Sequence, residues 1–418
     1  MGEPFLVPGS DSGIGIHGDW PDLYRWVPAG EAIRVHDFRD EPMRFGEDGN
    51  NRVLGVAPRL AAPWALIHEA VVSLEGAIYD RRAILAADGA VVLGARNIAW
   101  DRALVAPDPG KPHVEAAAAG QMAGDGPVGS PVGGGIDHLP GRTGLVIGKS
   151  THNYYHFIID ILPLVERMVR AAGALGLDRI VINPCVDNPG GFQREIVATL
   201  WPDWSDRILF ADRPFRADHL SFVCLWPGFF ARNGAGAVVA EAGPRGVAGR
   251  LIRDSQPMIF ERGDVCGGAA VLPAALQGVR AVLVSRAGAA ARKIANEADL
   301  AARLAPLGVA CVRLEDLSFP EKLTLMAGAA LVIGPHGAGL VNAGFCRPGA
   351  TIIEVTARHY LPRATWLSRL GWMRDMHYEV VIGDEDGDID RMMGNLGNDI
   401  RLSPRAIDRV ADLVAAAL

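Results

Sequence analysis

The sequence predicts an α/β protein built from two consecutive units, preceded by a small β-hairpin extension. Three observations carry this. From about residue 144 onward, short β-branched runs alternate with helical patterns, as expected of a parallel sheet with helices on its faces. A stretch from Gly263 to Gly278 interrupts the alternation once and reads as a linker. A chain of 418 residues has room for two to three domains. The boundaries expected are 1–140 for the extension, 141–270 and 271–402 for the two units, and 403–418 for a C-terminal helix.

Each element follows from its residues. The first sixty are rich in Gly, Pro and Asp and read as irregular. Ala77–Asp80, Arg82–Leu85 and Val91–Leu93 read as short strands with a turn at Asp88-Gly89, a small hairpin layer. Gly124 to Gly135 reads as a glycine-rich loop. In the first unit Leu145–Gly148 is a strand. Asn153 to Ala172 is a long helix that Pro163 should kink, because proline has no N–H to give. Ile180–Ile182 is a strand, Phe192–Leu200 a helix, and Ile208–Phe210 and Leu220–Val223 are strands. Glu241 to Arg262 shows no clear period.

In the second unit Ala281–Arg286 is a buried strand, and Asn296 caps a helix over Glu297–Leu304. Val309–Val312 is a strand. Ser318-Phe319-Pro320-Glu321 is a capping box that opens a helix from about Phe319 to Gly328. The run Leu331–Gly334 ends in a turn, Pro335-His336-Gly337-Ala338-Gly339, after which Leu340–Phe345 starts a helix. Thr351–Val355 is one more strand, and a helix from about Ser403 closes the chain.

Composition excludes several classes. The net charge is −7 and no Lys or Arg run forms a basic patch, so a nucleic-acid partner is not expected. The five cysteines, Cys185, Cys224, Cys266, Cys311 and Cys346, are scattered, which suggests neither a disulfide framework nor a zinc site. The N-terminal residues lack a signal-peptide pattern, and every apolar run is broken before membrane-spanning length. A cytoplasmic protein is the expectation, with peripheral membrane contact left open.

The candidate chemistry collects in two places. Ligands of open α/β sheets bind at the carboxyl ends of the strands, and in the second unit Arg286, His336 and Glu354 fall there, with Arg292 a few residues after Arg286. The N–H groups of Gly337, Ala338 and Gly339 open a helix, whose positive end suits a phosphate. The arginines would hold a diphosphate and Glu354 the hydroxyls of a ribose. Plain surface charge is the alternative for each arginine, and an ion pair for Glu354. In the first unit His156 and Asp160 are four residues apart and share one helical face. A carboxylate beside an imidazole suits a general base, and either residue could be that base. A buried, satisfied histidine is the alternative. Glu166, further along, reads as solvated. Gly144–Ser150 is one residue short of a phosphate-binding P-loop. His336–Gly339 resembles a lipase oxyanion loop, but no G-x-S-x-G elbow accompanies it. The acidic stretch Asp384–Asp388 reads as a solvated loop.

Asn153-Tyr154-Tyr155-His156 with Asp160, Leu162 and Pro163 resembles the N-terminal signature of glycosyltransferase family 61. Ser285-Arg286 through Arg292, Asn296-Glu297, Leu317-Ser318-Phe319, His336–Leu340 and Ile353-Glu354 resemble its C-terminal signature, in order. The resemblance implies two Rossmann-like domains facing a cleft, the GT-B arrangement. It implies a nucleotide-sugar donor, usually a UDP-sugar, held mainly by the C-terminal domain, and a saccharide acceptor. Inversion at the anomeric carbon is implied, with no obligatory metal and no cofactor. An epimerase or hydrolase of nucleotide-sugars, or a non-catalytic binding protein, are the competing readings.

Overall fold

The computed structural model describes residues 137–147, 151–182, 191–210, 215–225, 255–357, 361–387 and 397–418, with short segments between 14 and 92 and between 230 and 253. The chain divides into two units, residues 1–26 with 65–259, and residues 27–64 with 260–418.

In the first unit the strands are β1 (Glu69–Glu75), β2 (Ile78–Tyr79), β3 (Ile84–Leu85), β4 (Val91–Val92), β5 (Asp137–Val146), β6 (Arg179–Ile182), β7 (Ile208–Phe210) and β8 (Phe215–Leu225). β7, β6, β5 and β8 lie side by side in that order, all parallel. β1 and β2 pair antiparallel with β8, and β2 to β4 continue as an antiparallel meander. The short strands expected as a separate layer therefore extend the main sheet, which is mixed. The Asp88-Gly89 turn and the Gly124–Gly135 loop lie outside the described residues. The first sixty residues, expected to be irregular, contain the strands Ile14–His17, Tyr24–Val27 and Arg34–Asp37. Four-residue strands are too short to show a period against a Gly- and Pro-rich background.

The long helix runs in three pieces: α1 (Tyr154–His156), a π-helical turn (Phe157–Ile161) and α2 (Leu162–Leu175). Asn153 starts it, its Oδ1 accepting from the His156 N–H at 3.3 Å. In place of the expected kink at Pro163 the helix widens. The Leu162 N–H reaches back five residues to the Phe157 carbonyl. Pro163 then falls in the first turn of α2, where a missing N–H costs least. Gly176, at φ 62°, ends the helix in the left-handed region that glycine enters without steric cost. Ile158, Ile161, Leu162, Val165 and Met168 are fully buried. Glu166, expected in solvent, is buried too; it accepts from Trp201 Nε1 and Arg170 Nε, each at 2.7 Å. Two further helices are α3 (Gly191–Leu200) and α4 (Gln256–Cys266). α4 crosses the stretch without clear period and enters the presumed linker, because its apolar residues do not gather on one face.

In the second unit the elements are β9 (Ala281–Val284), α5 (Glu297–Leu304), β10 (Val309–Val312), α6 (Phe319–Gly328), β11 (Leu331–Pro335), a 3-10 helix (Ala338–Phe345), β12 (Thr351–Ala357), α7 (Leu361–Arg374), β13 (His377–Asp386), β14 (Asp399–Arg401) and α8 (Pro404–Ala417). The sheet order is β10-β9-β11-β12-β13-β14. The first five are parallel and β14 is antiparallel. Arg34–Asp37 adds a parallel strand beside β13. From β9 the chain moves outward to β10, then returns to β11 on the other side. That reversal is a topological switch point. Leu283, Ile333, Ile353 and Val355 of the sheet pack with Leu300 and Leu304 of α5 and Val410 and Val414 of α8. Each such side chain contributes about 1.5–3 kcal/mol by leaving water.

The helix starts are specific. Ser318 and Glu321 form the expected capping box: Ser318 Oγ accepts from the Glu321 N–H at 3.4 Å, and Glu321 Oε2 accepts from the Ser318 N–H at 2.8 Å. Asn296 stands at the start of α5 but does not cap it with its side chain. Its amide instead bonds both backbone groups of Leu402, each at 3.0 Å, and so ties α5 to the segment after β14. The acidic stretch forms the end of β13 as far as Asp386, which pairs with Arg401 at 2.6 Å.

The capping box yields the first prediction. Ser318→Ala should cost about 1 kcal/mol in a urea titration. The Ser318 hydroxyl and N–H hold the Glu321 carboxyl below its ordinary range. Their contribution is therefore complete above the ordinary carboxylate pKa and is lost as the pH falls through the lowered one. The gap between variant and native protein should narrow in acid; a gap constant from neutral pH downward would contradict this.

Candidate active site

Arg286 and His336, two of the residues expected to hold a diphosphate, lie at the switch point of the second unit. Arg286 lies two residues past β9, and His336 one residue past β11, the strands on either side of the reversal. The Gly337 backbone runs against the Arg286 guanidinium: a Cβ on residue 337 would lie 2.2 Å from Nη1. A side chain at this point would have to displace the Arg286 guanidinium, while the backbone, extended at φ 172°, would accept any residue. Arg286 is held from behind. Glu297 accepts from the Ser285 hydroxyl at 2.5 Å and from the Arg286 N–H at 3.3 Å, and Arg286 Nη2 donates to the Ala291 carbonyl at 3.1 Å. The Asn296-Glu297 pair is thus bracing, one residue fixing Leu402 and the other the Arg286 turn.

His336 is fixed by its neighbouring strands. Its N–H donates to the Val355 carbonyl at 2.9 Å. Its Nδ1 bonds to Glu354 Oε1, and the other oxygen of Glu354 accepts from the Tyr378 hydroxyl. Glu354 is wholly buried, and His336 and Tyr378 nearly so. The ribose role expected of Glu354 does not fit a carboxylate with both oxygens engaged inside the protein. Its place is behind His336, where it sets the plane of the ring and the tautomer. The 3-10 helix begins at Ala338, and Asn342 Nδ2 closes its first turn on the Gly339 carbonyl at 2.7 Å. The opening N–H groups of a helix have no acceptor within it. Arg292 is on the loop after Arg286. Its backbone is in the left-handed region at φ 59°, and its N–H donates to the Gly397 carbonyl at 3.3 Å. A non-glycine residue held there is costly and is found preferentially at functional sites. At the far end of the 3-10 helix, burial pushes the Cys346 thiol up to about 12, so it is no nucleophile near neutral pH.

In the first unit, His156 Nδ1 and Asp160 Oδ2 are 2.7 Å apart, with both side chains mostly buried. Phe192 of α3 packs its ring on Tyr154 and Phe157, and Gln193 Nε2 donates to the Thr151 carbonyl at 3.2 Å, so α3 holds the turn that carries His156. Tyr378 and Gln193 were not singled out from sequence. Tyr378 alternates with Val380 and Ile382 along β13, so its hydroxyl is a polar tip on an otherwise apolar, buried row. That irregularity is the signal available. Among the described residues no cluster of three His, Cys, Asp or Glu could hold a metal ion, and no helix is long and apolar enough to cross a membrane.

The parallel strands flanked by helices, reversing between β9 and β11, are consistent with a Rossmann-like α/β fold for the second unit. Residues 154–353 match the family described as Glycosyltransferase 61. Among characterised relatives, the chain is 37% identical over 95 residues to "Protein O-linked-mannose beta-1,4-N-acetylglucosaminyltransferase 2" of Takifugu rubripes, covering 21% of this chain and 16% of the relative. The protein of the same name in Mus musculus is 38% identical over 82 residues, covering 18% and 14%. That of Bos taurus is 32% identical over 109 residues, covering 22% and 19%. The matched part therefore spans less than a fifth of these relatives' length.

Removing Glu354 should be expensive. Glu354→Ala leaves two buried donors, on His336 and Tyr378, without their acceptor. At about 1–3 kcal/mol for each such group, a loss of about 2–6 kcal/mol is expected in chemical denaturation. A loss within experimental error would show that the carboxylate does not hold the two strands' side chains.

Proposed function

We propose that this chain is an inverting glycosyltransferase that moves a sugar from a nucleotide-sugar, a UDP-sugar in our reading, to a saccharide acceptor in the synthesis of a surface or capsular polysaccharide. The observation that carries the proposal is the Arg286 guanidinium laid against the Gly337 turn at the switch point, beside a histidine fixed by Glu354. The Glycosyltransferase 61 match over residues 154–353 supports the same reaction class. Among the described residues Cys266, Cys311 and Cys346 are free thiols, which agrees with work in a reducing, cytoplasmic compartment.

The chemistry follows from the groups present. The acceptor hydroxyl gives its proton to His156 Nε2, and its oxygen attacks the anomeric carbon. The bond from that carbon to the diphosphate breaks on the opposite side, and the configuration inverts. Asp160, on His156 Nδ1, orients the ring and stabilises the imidazolium formed. The leaving diphosphate gathers charge, which Arg286, Arg292, His336 and the N–H groups of Ala338 and Gly339 meet with fixed donors. In this reading Glu354 acts on the donor only through His336.

A thermal-shift screen with UDP, GDP, CMP and their sugars tests the donor, since specific stabilisation by one nucleotide identifies it. Arg286→Ala and His336→Ala should each weaken UDP binding by about 10- to 100-fold, the value of a charged hydrogen bond. Unchanged UDP affinity in both variants would refute the site. His156→Ala should abolish transfer while leaving donor affinity within about twofold of native, as expected when an interaction made only in the transition state is lost. Full transfer in that variant would refute the base assignment. Stoichiometric conversion of the donor with no acceptor present would favour an epimerase or hydrolase.

A further inference from the structure

We infer that Thr356 is a further contact to the donor, its hydroxyl donating to a diphosphate oxygen beside His336; the inference rests on the proposal that Arg286 and His336 bind that diphosphate. The family match ends at residue 353 and does not reach it. Thr356 is the last but one residue of β12, at the carboxyl end of the sheet, where ligands of such folds bind. Side chains alternate along a strand. Ile353, Val355 and Ala357 face the core shared with α5 and α8, so Ile352, Glu354 and Thr356 are on the other face. Pro335 is in register with Val355, and the bond from the His336 N–H to the Val355 carbonyl at 2.9 Å carries the ladder one step further. His336 and Thr356 are therefore neighbours across two strands, which lie about 4.8 Å apart. Glu354, two residues earlier on the face of Thr356, bonds the imidazole, so the ring is on that face too. Arg286 flanks the other side of the same turn, against Gly337. Guanidinium, imidazole and hydroxyl thus stand in one row at the ends of β9, β11 and β12.

The hydroxyl is the informative group. Thr356 has no exposed surface, and its Oγ1 has no hydrogen-bond partner among the described residues. A hydroxyl cut off from water without a partner is costly, and valine would fill the same space on a buried strand without that cost. Glu354 does not serve it, because one of its oxygens is on His336 and the other on the Tyr378 hydroxyl. A partner that arrives with the ligand removes the cost. That partner has to be an acceptor that Arg286 also holds, since a guanidinium only donates; a phosphate oxygen meets both conditions. His336 is itself 5% exposed. Binding therefore parts the cover over this end of the sheet, and a phosphate that then meets the imidazole lies within one strand spacing of the hydroxyl.

The test sets affinity against stability. Thr356→Val keeps the shape of the side chain and removes the donor. Without ligand this variant should be at least as heat-stable as the native chain, since no native bond is lost. It should bind UDP about 10-fold more weakly or worse, the value of a hydrogen bond to a charged acceptor, and the phosphorus NMR signals of bound UDP should shift. Thr356→Ser keeps the hydroxyl, so it should hold UDP within about threefold of native affinity and leave those signals in place. Weaker binding by a chain that is no less stable is a pattern that a packing role does not give. Should Thr356→Val not fold, Thr356→Ala set against Thr356→Ser makes the same comparison. Native UDP affinity in the variant without the hydroxyl, or equal weakening in Thr356→Ser, would overturn the inference. If Arg286→Ala and His336→Ala weaken UDP binding but Thr356→Val does not, the inference falls and the diphosphate site stands. If Thr356→Val alone weakens it and shifts the phosphorus signals, the contact of Thr356 stands and the roles given to Arg286 and His336 fall.

Discussion

A single buried carboxylate organises the second unit. Glu354 sits on β12 between β11 and β13, has no exposed surface, and bonds His336 from one side and Tyr378 from the other. Taking a carboxylate fully out of water is costly unless its oxygens are bonded. The pair of bonds therefore does two things at once. It makes burial of Glu354 tolerable, and it ties side chains of three adjacent parallel strands into one rigid group. The imidazole held in this way sits one residue before the turn that meets Arg286. The order of the strands, with the chain reversing between β9 and β11, decides that this rigid group and that arginine share one end of the sheet.

The first unit solves a different problem. A histidine and an aspartate four residues apart face each other on any helix, but facing is looser than bonding. Here the helix widens into a π-turn across the pair, α3 packs aromatic and amide groups against the turn before it, and α4 supplies a hydrogen bond to a carbonyl inside it. Two other helices thus meet one short segment.

The family match and the structure overlap without coinciding. The matched segment begins at residue 154 and ends at 353. It takes in His156, Asp160, Arg286, Arg292 and the His336 turn, and stops one residue short of Glu354. The two residues that hold His336 in place, Glu354 and Tyr378, therefore lie outside it. Their role follows from strand adjacency, since Ile352 is in register with Tyr378 and Gly334 with Glu354.

What could be read from the sequence was local. The capping box at Ser318, the helix from Phe319 to Gly328, the buried strands of the second unit and the His156–Asp160 spacing are set by residues within a few positions of one another, where steric and hydrogen-bonding preferences act directly. The sequence also placed Arg286 and His336 at strand ends. What it could not supply was partnership across distance. Asn296 looked like a cap and instead binds Leu402; Glu354 looked like a ribose ligand and instead holds His336; Glu166 looked solvated and instead receives Trp201. The short N-terminal strands acquired their identity only from the strands they joined. A polar side chain has the same local preferences whichever donor it meets, so its partner is chosen by strand order and helix packing, and these exist only once the chain has folded.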